Sequence, residues 1–464
     1  MKGLDNLPKT SNVSLPQSIS VLGLGRTGLA VAEYLGRHGV DVMASDKRTD
    51  IEPEKQKALE ALGVQLSLGE NIIRTNDVVV ISPGIPPHHP LFKEAHEKGS
   101  EVISEPELFA RVFGRPIIAI TGTDGKSTVT TWTAHILQVA GIDTIAGGNL
   151  GNPLIEEADR EDLQCAVLEI SAFQLVTTPT LKPAITAITN LADDHLDHFD
   201  GDAQAYEEAK RHLVHLSPAG GAVVRPDDDP IVTGWSLPEG VESLDVTLDN
   251  APENAAWVQD GVLYIRAQDG SEQPLALLHK SELPLVGSHN IRNALFASLM
   301  AARMGASVDA ITHGLRSYQA LPHRCVVINT INGVRFINDS KATTPNATMA
   351  ALKGLDEGLV LIVGGSSKGS DYTELGQMIG KKTKAVVATG DTAQEILNSV
   401  PEGHPKLLEP DMETAIMRAY TLSNSGDTVL LSPACASFDR FNSYGHRGEV
   451  YTALVQALKE QLRA

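Results

Sequence analysis

Residues Ile117 to Thr128 read I-I-A-I-T-G-T-D-G-K-S-T, an apolar strand that runs into a glycine-bracketed turn and then into Lys126, Ser127 and Thr128. Such a turn gathers backbone N–H groups at the start of a helix and adds an ammonium plus a hydroxyl able to hold Mg²⁺. That is the recognition chemistry of a nucleoside triphosphate. The helix-like T-V-T-T-W-T-A-H-I-L that follows completes a strand–loop–helix unit, which predicts an α/β architecture. Ile120 stands where the Walker A pattern has its first glycine, and the bracketing glycines are Gly122 and Gly125, so the loop is a shortened variant.

The chain has 464 residues, too many for one ordinary core, and the length predicts about three domains. Its formal net charge of −20 repels polynucleotide backbones and anionic membrane surfaces, leaving anion binding to local clusters of Lys, Arg and backbone N–H. Cys165, Cys325 and Cys435 are far apart and sit in apolar runs, which predicts buried thiols in a reducing cytoplasm rather than disulfides or a zinc site. No run approaches the roughly 20 apolar residues of a membrane span, and Met1 to Gln17 reads as a flexible tail.

Three alternations of strand and helix follow one another. The first sets Ile19–Leu22, the loop G-L-G-R-T-G, a helix to His38, and strands Asp41–Ser45 and Asp77–Ile81, and closes at Gly114-Arg115-Pro116. The second starts with the phosphate loop, carries strands Cys165–Ile170 and Ala184–Thr189, and changes between about Arg225 and Leu285 to short β pieces with Asp260-Gly261 and Asp269-Gly270 as hairpin turns. The third starts after Leu321-Pro322-His323-Arg324, with strands Gly333–Ile337, Leu359–Val363, Ala385–Ala388 and Thr428–Leu431. These alternations predict three domains, 1–113, 114–320 and 321–464. The first opens as a βαβ unit, the central one is built on the phosphate loop and ends in a small β excursion, and the third is a second open α/β sheet. In the third, Asn338-Asp339-Ser340-Lys341, Gly364 to Lys368, Gly390-Asp391 and Ser432 to Ser437 all leave carboxyl ends of strands, where open parallel sheets bind ligands.

Individual residues carry sharper expectations. Glu169 ends a strand and reads either as a Mg²⁺ ligand beside Ser127 or as a helix-capping acid. The segment T-N-L-A-D-D-H-L-D-H gathers carboxylates and imidazoles around His195, a pattern suited to a metal and an anionic substrate. Lys210, in A-Y-E-E-A-K-R, reads on its own as a solvated surface lysine. Asn290 and Asn293 share a helix face and either read a base or cap the helix. The loop G-L-G-R-T-G with Asp46 downstream fits a dinucleotide fingerprint, which makes an NAD-dependent oxidoreductase the rival class, but Arg48 and Ser82-Pro83-Gly84 suit a nucleoside diphosphate such as UDP equally well. A nucleotide-gated binding protein that catalyses no reaction is the third class.

Taken in order, G-T-D-G-K-S-T, E-I-S-A-F-Q-L, T-N-L-A-D-D-H-L-D, G-S-H-N-I-R-N-A, L-P-H-R, N-D-S-K-A-T and S-P-A-C-A-S-F-D-R-F make the chain similar, over nearly its whole length, to the Mur ligase family. Within that family the N-terminal loop and Ser432 to Phe441 resemble the members that add D-glutamate to UDP-N-acetylmuramoyl-L-alanine in peptidoglycan precursor synthesis. No D-N-P-R motif of the diamino-acid ligases is present, and folate-glutamylating relatives lack the N-terminal domain.

The resemblance implies that Thr27, Asp46, Arg48 and Ser82 to Gly84 hold the uridine diphosphate, with Asn149 and His195 facing the alanyl carboxylate. It places the ATP phosphates on Gly122, Thr123, Asp124, Gly125, Lys126, Ser127 and Thr128, and further ATP contacts on Asn290, Asn293, Arg324, Asp339 and Lys341. It implies two Mg²⁺ ions, one on Ser127 and Glu169 and one on His195 with Lys210, whose counterpart in similar enzymes is carbamylated. D-glutamate falls to Thr343, Lys368, Ser437 and Tyr444. The resemblance also implies an α/β fold with Rossmann-like outer domains around a central phosphate-loop ATPase-type domain that has a mostly parallel sheet, in a cytoplasmic monomer. Three departures stand out: Asp124 replaces Asn or Lys, Tyr444 replaces Phe, and Ser171-Ala172 replaces a Ser-Ser pair.

Overall fold

The structure is a computed structural model that describes residues 4–10, 13–75, 77–85, 87–150, 153–192, 199, 202–251, 253–266, 274–285, 287–319, 322–355, 358–367 and 370–463. Its three sheets follow the three alternations. They lie in two compact units, Met1–Leu283 with Arg292–Tyr318, and Pro284–Ile291 with Gln319–Ala464.

The first unit opens with β1 (Ser18–Leu22), β2 (Asp41–Asp46), β3 (Gln65–Leu68), β4 (Val78–Ile81) and β5 (Glu101–Ile103). All run parallel in the order β3-β2-β1-β4-β5. Strand order reverses at β1 and β4, which opens a crevice beyond Leu22 and Ile81, the usual ligand position in such sheets. The helix Arg26–Arg37 leaves that point closely packed, since a Cβ on Gly28 would lie 1.8 Å from the Gly23 carbonyl oxygen. The described part of the expected flexible tail is instead tied down: Val13 N–H donates to Arg111 O at 2.7 Å, and Thr10 donates to Arg115 O through both its N–H and its hydroxyl.

The second sheet of this unit comprises β6 (Ile117–Thr121), β7 (Thr144–Gly148), β8 (Cys165–Glu169), β9 (Ile185–Ile188), β10 (Ala222–Pro226), β11 (Glu242–Val246), β12 (Ala256–Gln259), β13 (Val262–Arg266) and β14 (Pro274–His279). Its order is β14-β13-β12-β11-β10-β9-β6-β8-β7. The expected β excursion therefore continues the central sheet, parallel as far as β12 and antiparallel through β13 and β14. β6 sits between β8 and β9 and is buried at every residue, as an unbroken apolar run in a parallel sheet must be. Behind it, the buried Trp132 of helix Lys126–Val139 stacks on Tyr318 with ring centroids 4.7 Å apart.

Helix Glu105–Phe113 links the two sheets. Ser104 caps it and donates its N–H to Thr177 O at 2.7 Å. Glu105 accepts from Ile155 N–H at 2.8 Å, and Glu107 accepts from the Thr180 hydroxyl and from Leu181 N–H.

The second unit holds β15 (Val326–Ile331), β16 (Val334–Asn338), β17 (Leu359–Val363), β18 (Thr383–Ala388), β19 (Lys406–Leu408) and β20 (Thr428–Leu431), in the order β15-β16-β20-β17-β18-β19. All are parallel except the β15–β16 hairpin. Inserting β20 between β16 and β17 brings the loops after those three strands side by side.

Candidate functional site

The phosphate loop leaves β6 between Glu169 on β8, paired with Ile120, and Thr189 after β9. Gly122 has φ +142°, and a Cβ there would meet the Thr189 hydroxyl at 1.9 Å. Gly125, at φ +79°, caps the helix Lys126–Val139, and a Cβ there would lie 2.7 Å from Asn293 Oδ1. Only glycine satisfies both backbone and space at these two positions. The Asn190 side chain accepts from the N–H groups of Thr123 and Asp124 at 3.0 and 2.9 Å, and the Thr189 hydroxyl donates to Asp124 O at 2.5 Å. Lys126 Nζ donates to the carbonyls of Gly122 and Thr123 at 2.8 and 2.7 Å. Ser127 is buried and Thr128 half-buried in the first turn of the helix.

Beside this loop, Glu169 is 2% exposed. Its Oε1 accepts from Asn149 Nδ2 at 2.8 Å, while its buried Oε2 has no hydrogen-bond partner among the described residues. An unsatisfied carboxylate oxygen in the interior is costly unless a cation or donor completes it. The helix-capping alternative is overturned, because Ser171 makes that cap, accepting from Gln174 N–H while the Gln174 side chain accepts from Ser171 N–H. Ser171 thus has a structural role that needs no second serine at Ala172.

The reading of Lys210 as a solvated lysine is also overturned. Its side chain is 1% exposed, donates to Gly122 O at 2.7 Å and lies over the Tyr206 ring at 4.5 Å. Tyr206 Oη in turn pairs with Thr123 Oγ1 at 3.2 Å. His195, with the rest of 193–198, lies outside the described residues. Among the described residues no three His, Cys, Asp or Glu side chains gather as a metal site. Ser127 and Glu169 nonetheless suit Mg²⁺, a hard cation that takes one or two protein oxygens and fills the rest of its shell with phosphate and water.

Beyond β1 and β4, a cavity of about 380 Å³ is lined by Gly23, Gly25, Asp46, Lys47, Arg48, Asn71, Ser82, Gly84, Ile85 and His89. It gathers Asp46, Arg48, Ser82 and Gly84 of the residues expected to hold the diphosphate; Pro83, and Thr27 in the first turn of the adjoining helix, are not in its lining. Asp46 accepts from Leu24 N–H at 2.6 Å, from Arg48 N–H at 2.8 Å and from the Arg48 guanidinium at 3.0 Å. Burial pulls its pKa upward, but these donors outweigh it and hold the carboxyl below the usual range. Asp46 is therefore occupied in bracing the glycine loop. Asn71, Lys47 and His89 were missed in the sequence because they fall outside any phosphate-loop pattern.

In the second unit, Asp339 follows β16 and is buried, accepting from the Ser432 hydroxyl at 2.8 Å and from Cys325 N–H at 3.1 Å. Burial raises its pKa to about 7 against the pull of those donors and of Arg324 and Arg447. Lys341 Nζ lies 5.1 Å from the centre of the Tyr444 ring, so the ring expected at this position is present and faces a cation. Ser437 is buried, Thr343 half-buried and Tyr444 exposed. Lys368 lies outside the described residues. Asn290 and Asn293 are both buried in helix Ser288–Arg303. Cys165 and Cys435 are buried free thiols, as expected, whereas Cys325 is only partly buried.

Arg447 was not anticipated. It is 1% exposed and donates to Ser340 Oγ and O at 3.0 and 2.8 Å and to the carbonyls of Ala436 and Cys435 at 3.1 Å each. One guanidinium thus pins the loop after β16 to the loop after β20. Burial lowers its pKa to about 10, which still leaves it charged near neutrality.

Three family descriptions match the chain: "Mur ligase MurD-like, N-terminal domain" at residues 17–104, "Mur ligase middle domain" at 120–301 and "Mur ligase, glutamate ligase domain" at 323–435. The chain is 34% identical over 452 residues to the UDP-N-acetylmuramoylalanine–D-glutamate ligase of Salinibacter ruber, covering 95% of this chain and 97% of that protein. It is 36% identical over 459 residues to the protein of the same name from Pelotomaculum thermopropionicum, covering 96% and 98%. A solved pseudomurein peptide ligase type C from Methanothermus fervidus shares the fold, with a TM-score of 0.60 at 18% identity over 96% of this chain and 100% of that one.

Proposed function

The chain belongs to the Mur ligase family, and on that premise we propose that it performs the reaction named for its relatives, ATP-dependent ligation of D-glutamate to UDP-N-acetylmuramoyl-L-alanine in peptidoglycan precursor synthesis. The observation that carries the chemistry is the pairing of the glycine loop after β6 with a buried Glu169 oxygen that has no partner among the described residues.

A carboxylate resists attack by an amine because its charge repels the nucleophile, so it needs activation first. The alanyl carboxylate attacks the γ-phosphorus of ATP, the bond to the β,γ-bridging oxygen breaks and ADP leaves, giving an acyl phosphate. The D-glutamate amine then attacks the acyl carbon, and phosphate leaves from the tetrahedral intermediate. No nucleophilic side chain takes part. The work of this chain is positioning and charge neutralisation.

In this reading Gly122 to Thr128 cradle the phosphates and Lys126 exchanges its two loop carbonyls for phosphate oxygens. Asn190 holds two loop amides in place meanwhile. Mg²⁺, when bound by Ser127 and Glu169, neutralises charge on the transferring phosphoryl group. Asn149, hydrogen-bonded to Glu169, faces the alanyl carboxylate with His195. Lys210 contributes to a second ion if carbamylated, and its burial beside Gly122 O supports a role at the loop. Asn290, Asn293, Arg324, Asp339 and Lys341 contact ATP. Thr343, Lys368, Ser437 and Tyr444 receive D-glutamate, while Thr27, Asp46, Arg48, Ser82 and Gly84 belong to the uridine diphosphate site. The same reading divides the chain into domains 1–113, 114–320 and 321–464, acting as a cytoplasmic monomer. No helix among the described residues is long and apolar enough to cross a membrane.

The test is phosphate release. Release that requires both UDP-N-acetylmuramoyl-L-alanine and D-glutamate supports the ligase, and release indifferent to D-glutamate refutes it. Lys126→Ala should abolish turnover, whereas near wild-type turnover in that variant would overturn the loop assignment.

A further inference from the structure

We propose that Thr178 is a positioning residue for the ligase reaction: it ties the turn that follows Glu169 and the helix that carries Lys210 to helix Glu105–Phe113, and so fixes where the Glu169 carboxylate points. This rests on the reading of Glu169 as a Mg²⁺ ligand and adds the device that aims it. Thr178 is fully buried and lies outside both the phosphate loop and the lining of the cavity beyond β1 and β4.

The hydroxyl chain through Thr178 has a fixed direction. Thr178 Oγ1 lies 2.7 Å from Gln174 O and 2.8 Å from Ser104 Oγ. A carbonyl oxygen only accepts, so the single hydroxyl proton of Thr178 goes to Gln174 O, and Ser104 donates to Thr178. Ser104 Oγ in turn accepts from Glu107 N–H at 3.3 Å as the cap of helix Glu105–Phe113. Ser104, Thr178 and Gln174 are all buried, so a missing link leaves an interior polar group unpaired. Glu107 braces the stretch beyond, accepting from Thr180 N–H at 3.1 Å and from Leu181 N–H at 3.0 Å.

The far end of the chain is the unpartnered carboxylate. Gln174 and Ser171 cap helix Ala172–Val176 reciprocally, and Ser171 stands two residues after Glu169. A helix of five residues has too few internal hydrogen bonds to hold its own direction, so the exit of the chain from Glu169 is set by what grips the helix end. Thr178 is that grip. Its backbone reaches a second element: Thr178 O accepts from His212 Nε2 at 3.1 Å, and His212 sits two residues beyond Lys210 in helix Ala203–His215. Lys210 donates to Gly122 O in the phosphate loop. One buried residue therefore sets the Glu169 turn and the Lys210 helix at a fixed separation, and anchors both to the helix that links the two sheets.

The experiment measures how much Mg²⁺ tightens a non-hydrolysable ATP analogue, by titration calorimetry on the full chain in Mg²⁺ and in EDTA, for wild type, Thr178→Val and Thr178→Ser. Valine keeps the shape and removes the hydroxyl; serine keeps the hydroxyl and removes a methyl. In Thr178→Val the Mg²⁺-dependent gain in affinity is expected to fall about tenfold while affinity in EDTA stays within about twofold, and Thr178→Ser should restore the gain. A lowered melting temperature in Thr178→Val with the gain unchanged would show a purely structural role and overturn the proposal, leaving the ligase reading intact. Where Thr178→Val does not fold, His212→Leu decides, since it leaves the buried hydroxyls in place: a reduced gain supports the proposal and an unchanged gain overturns it. A wild-type chain with no Mg²⁺-dependent gain would overturn the reading of Glu169 itself.

Discussion

Glu105 offers a quantitative test of how the first unit is held together. It is 2% exposed at the start of helix Glu105–Phe113 and accepts from Ile155 N–H, in the 3₁₀ turn Leu154–Glu157 of the central sheet's region. Burial raises its pKa to about 7, against the backbone donors of Ile155 and Leu154 and with help from Glu156. An unfolded glutamate titrates near 4.5. The folded chain therefore holds this proton more tightly than the unfolded chain, and stability present at low pH is lost as pH rises from about 4.5 to about 7. A difference of roughly 2.5 pKa units corresponds to about 3 kcal/mol.

Glu105→Gln keeps an oxygen to accept from Ile155 N–H and removes the charge, so it mimics the protonated acid at every pH. The variant should match wild type within about 1 kcal/mol at pH 5 and exceed it by up to about 3 kcal/mol at pH 8. At roughly 2 °C per kcal/mol for a unit of this size, that is a melting-point gain of about 6 °C at the higher pH. Differential scanning calorimetry from pH 5 to 8 measures it directly. A difference between variant and wild type that stays flat across this range would show that the Glu105 carboxyl is not the titrating group.

Two further substitutions address the sites. Asp124→Asn removes a negative charge from the loop after β6, and a like-charge contact of about 1 kcal/mol predicts a roughly fivefold fall in the KM for ATP, read from phosphate release at fixed Mg²⁺. Arg447→Lys loses the planar fork that reaches Ser340, Cys435 and Ala436 together, leaving buried carbonyls unpaired. It should lower the stability of the second unit by about 3 kcal/mol, seen as a shifted urea midpoint.

The parts of the fold that sequence makes plain are the strands buried on both faces. β6, β8, β17 and β20 read as unbroken apolar runs because each lies inside a parallel sheet. The strands β3, β5, β7, β15 and β19 were not anticipated, and all five lie at sheet edges, where no unbroken apolar run is required. β5 and β19 are three residues long at sheet edges, and β7 ends in Gly147-Gly148, which looks like a turn. At the site, the glycine loop and Glu169 are visible because their chemistry is carried by local pattern. Lys210 is different. Tyr206, Ala209, Lys210 and Leu213 fall at helical spacing and are all buried, so the stripe itself could have shown that this lysine points inward. Asn190 and Arg447 act through partners distant in sequence, on contacts that only the folded chain creates.

Backbone strain marks where the second unit's fold is shaped by something other than stability. Five described non-glycine residues have positive φ: Asp260, His323, Cys325, Asn332 and Ala434. Asp260 and Asn332 each precede a glycine between paired antiparallel strands, where tight hairpins demand that conformation. No hairpin explains the other three. His323 and Cys325 flank Arg324 before β15, and Ala434 follows β20, at an expected cost of about 1 kcal/mol for each left-handed residue. Each is held by contacts that would relax if it did: His323 O accepts from Lys341 N–H, Cys325 N–H donates to Asp339, and Ala434 N–H donates to Ala342 O. Arg447 then binds the carbonyls immediately beyond Ala434 to Ser340. The strained backbone and the buried cation thus converge on Asp339 and Lys341, fixing the loop that carries them, so that in the proposed ligase these side chains would meet ATP already positioned.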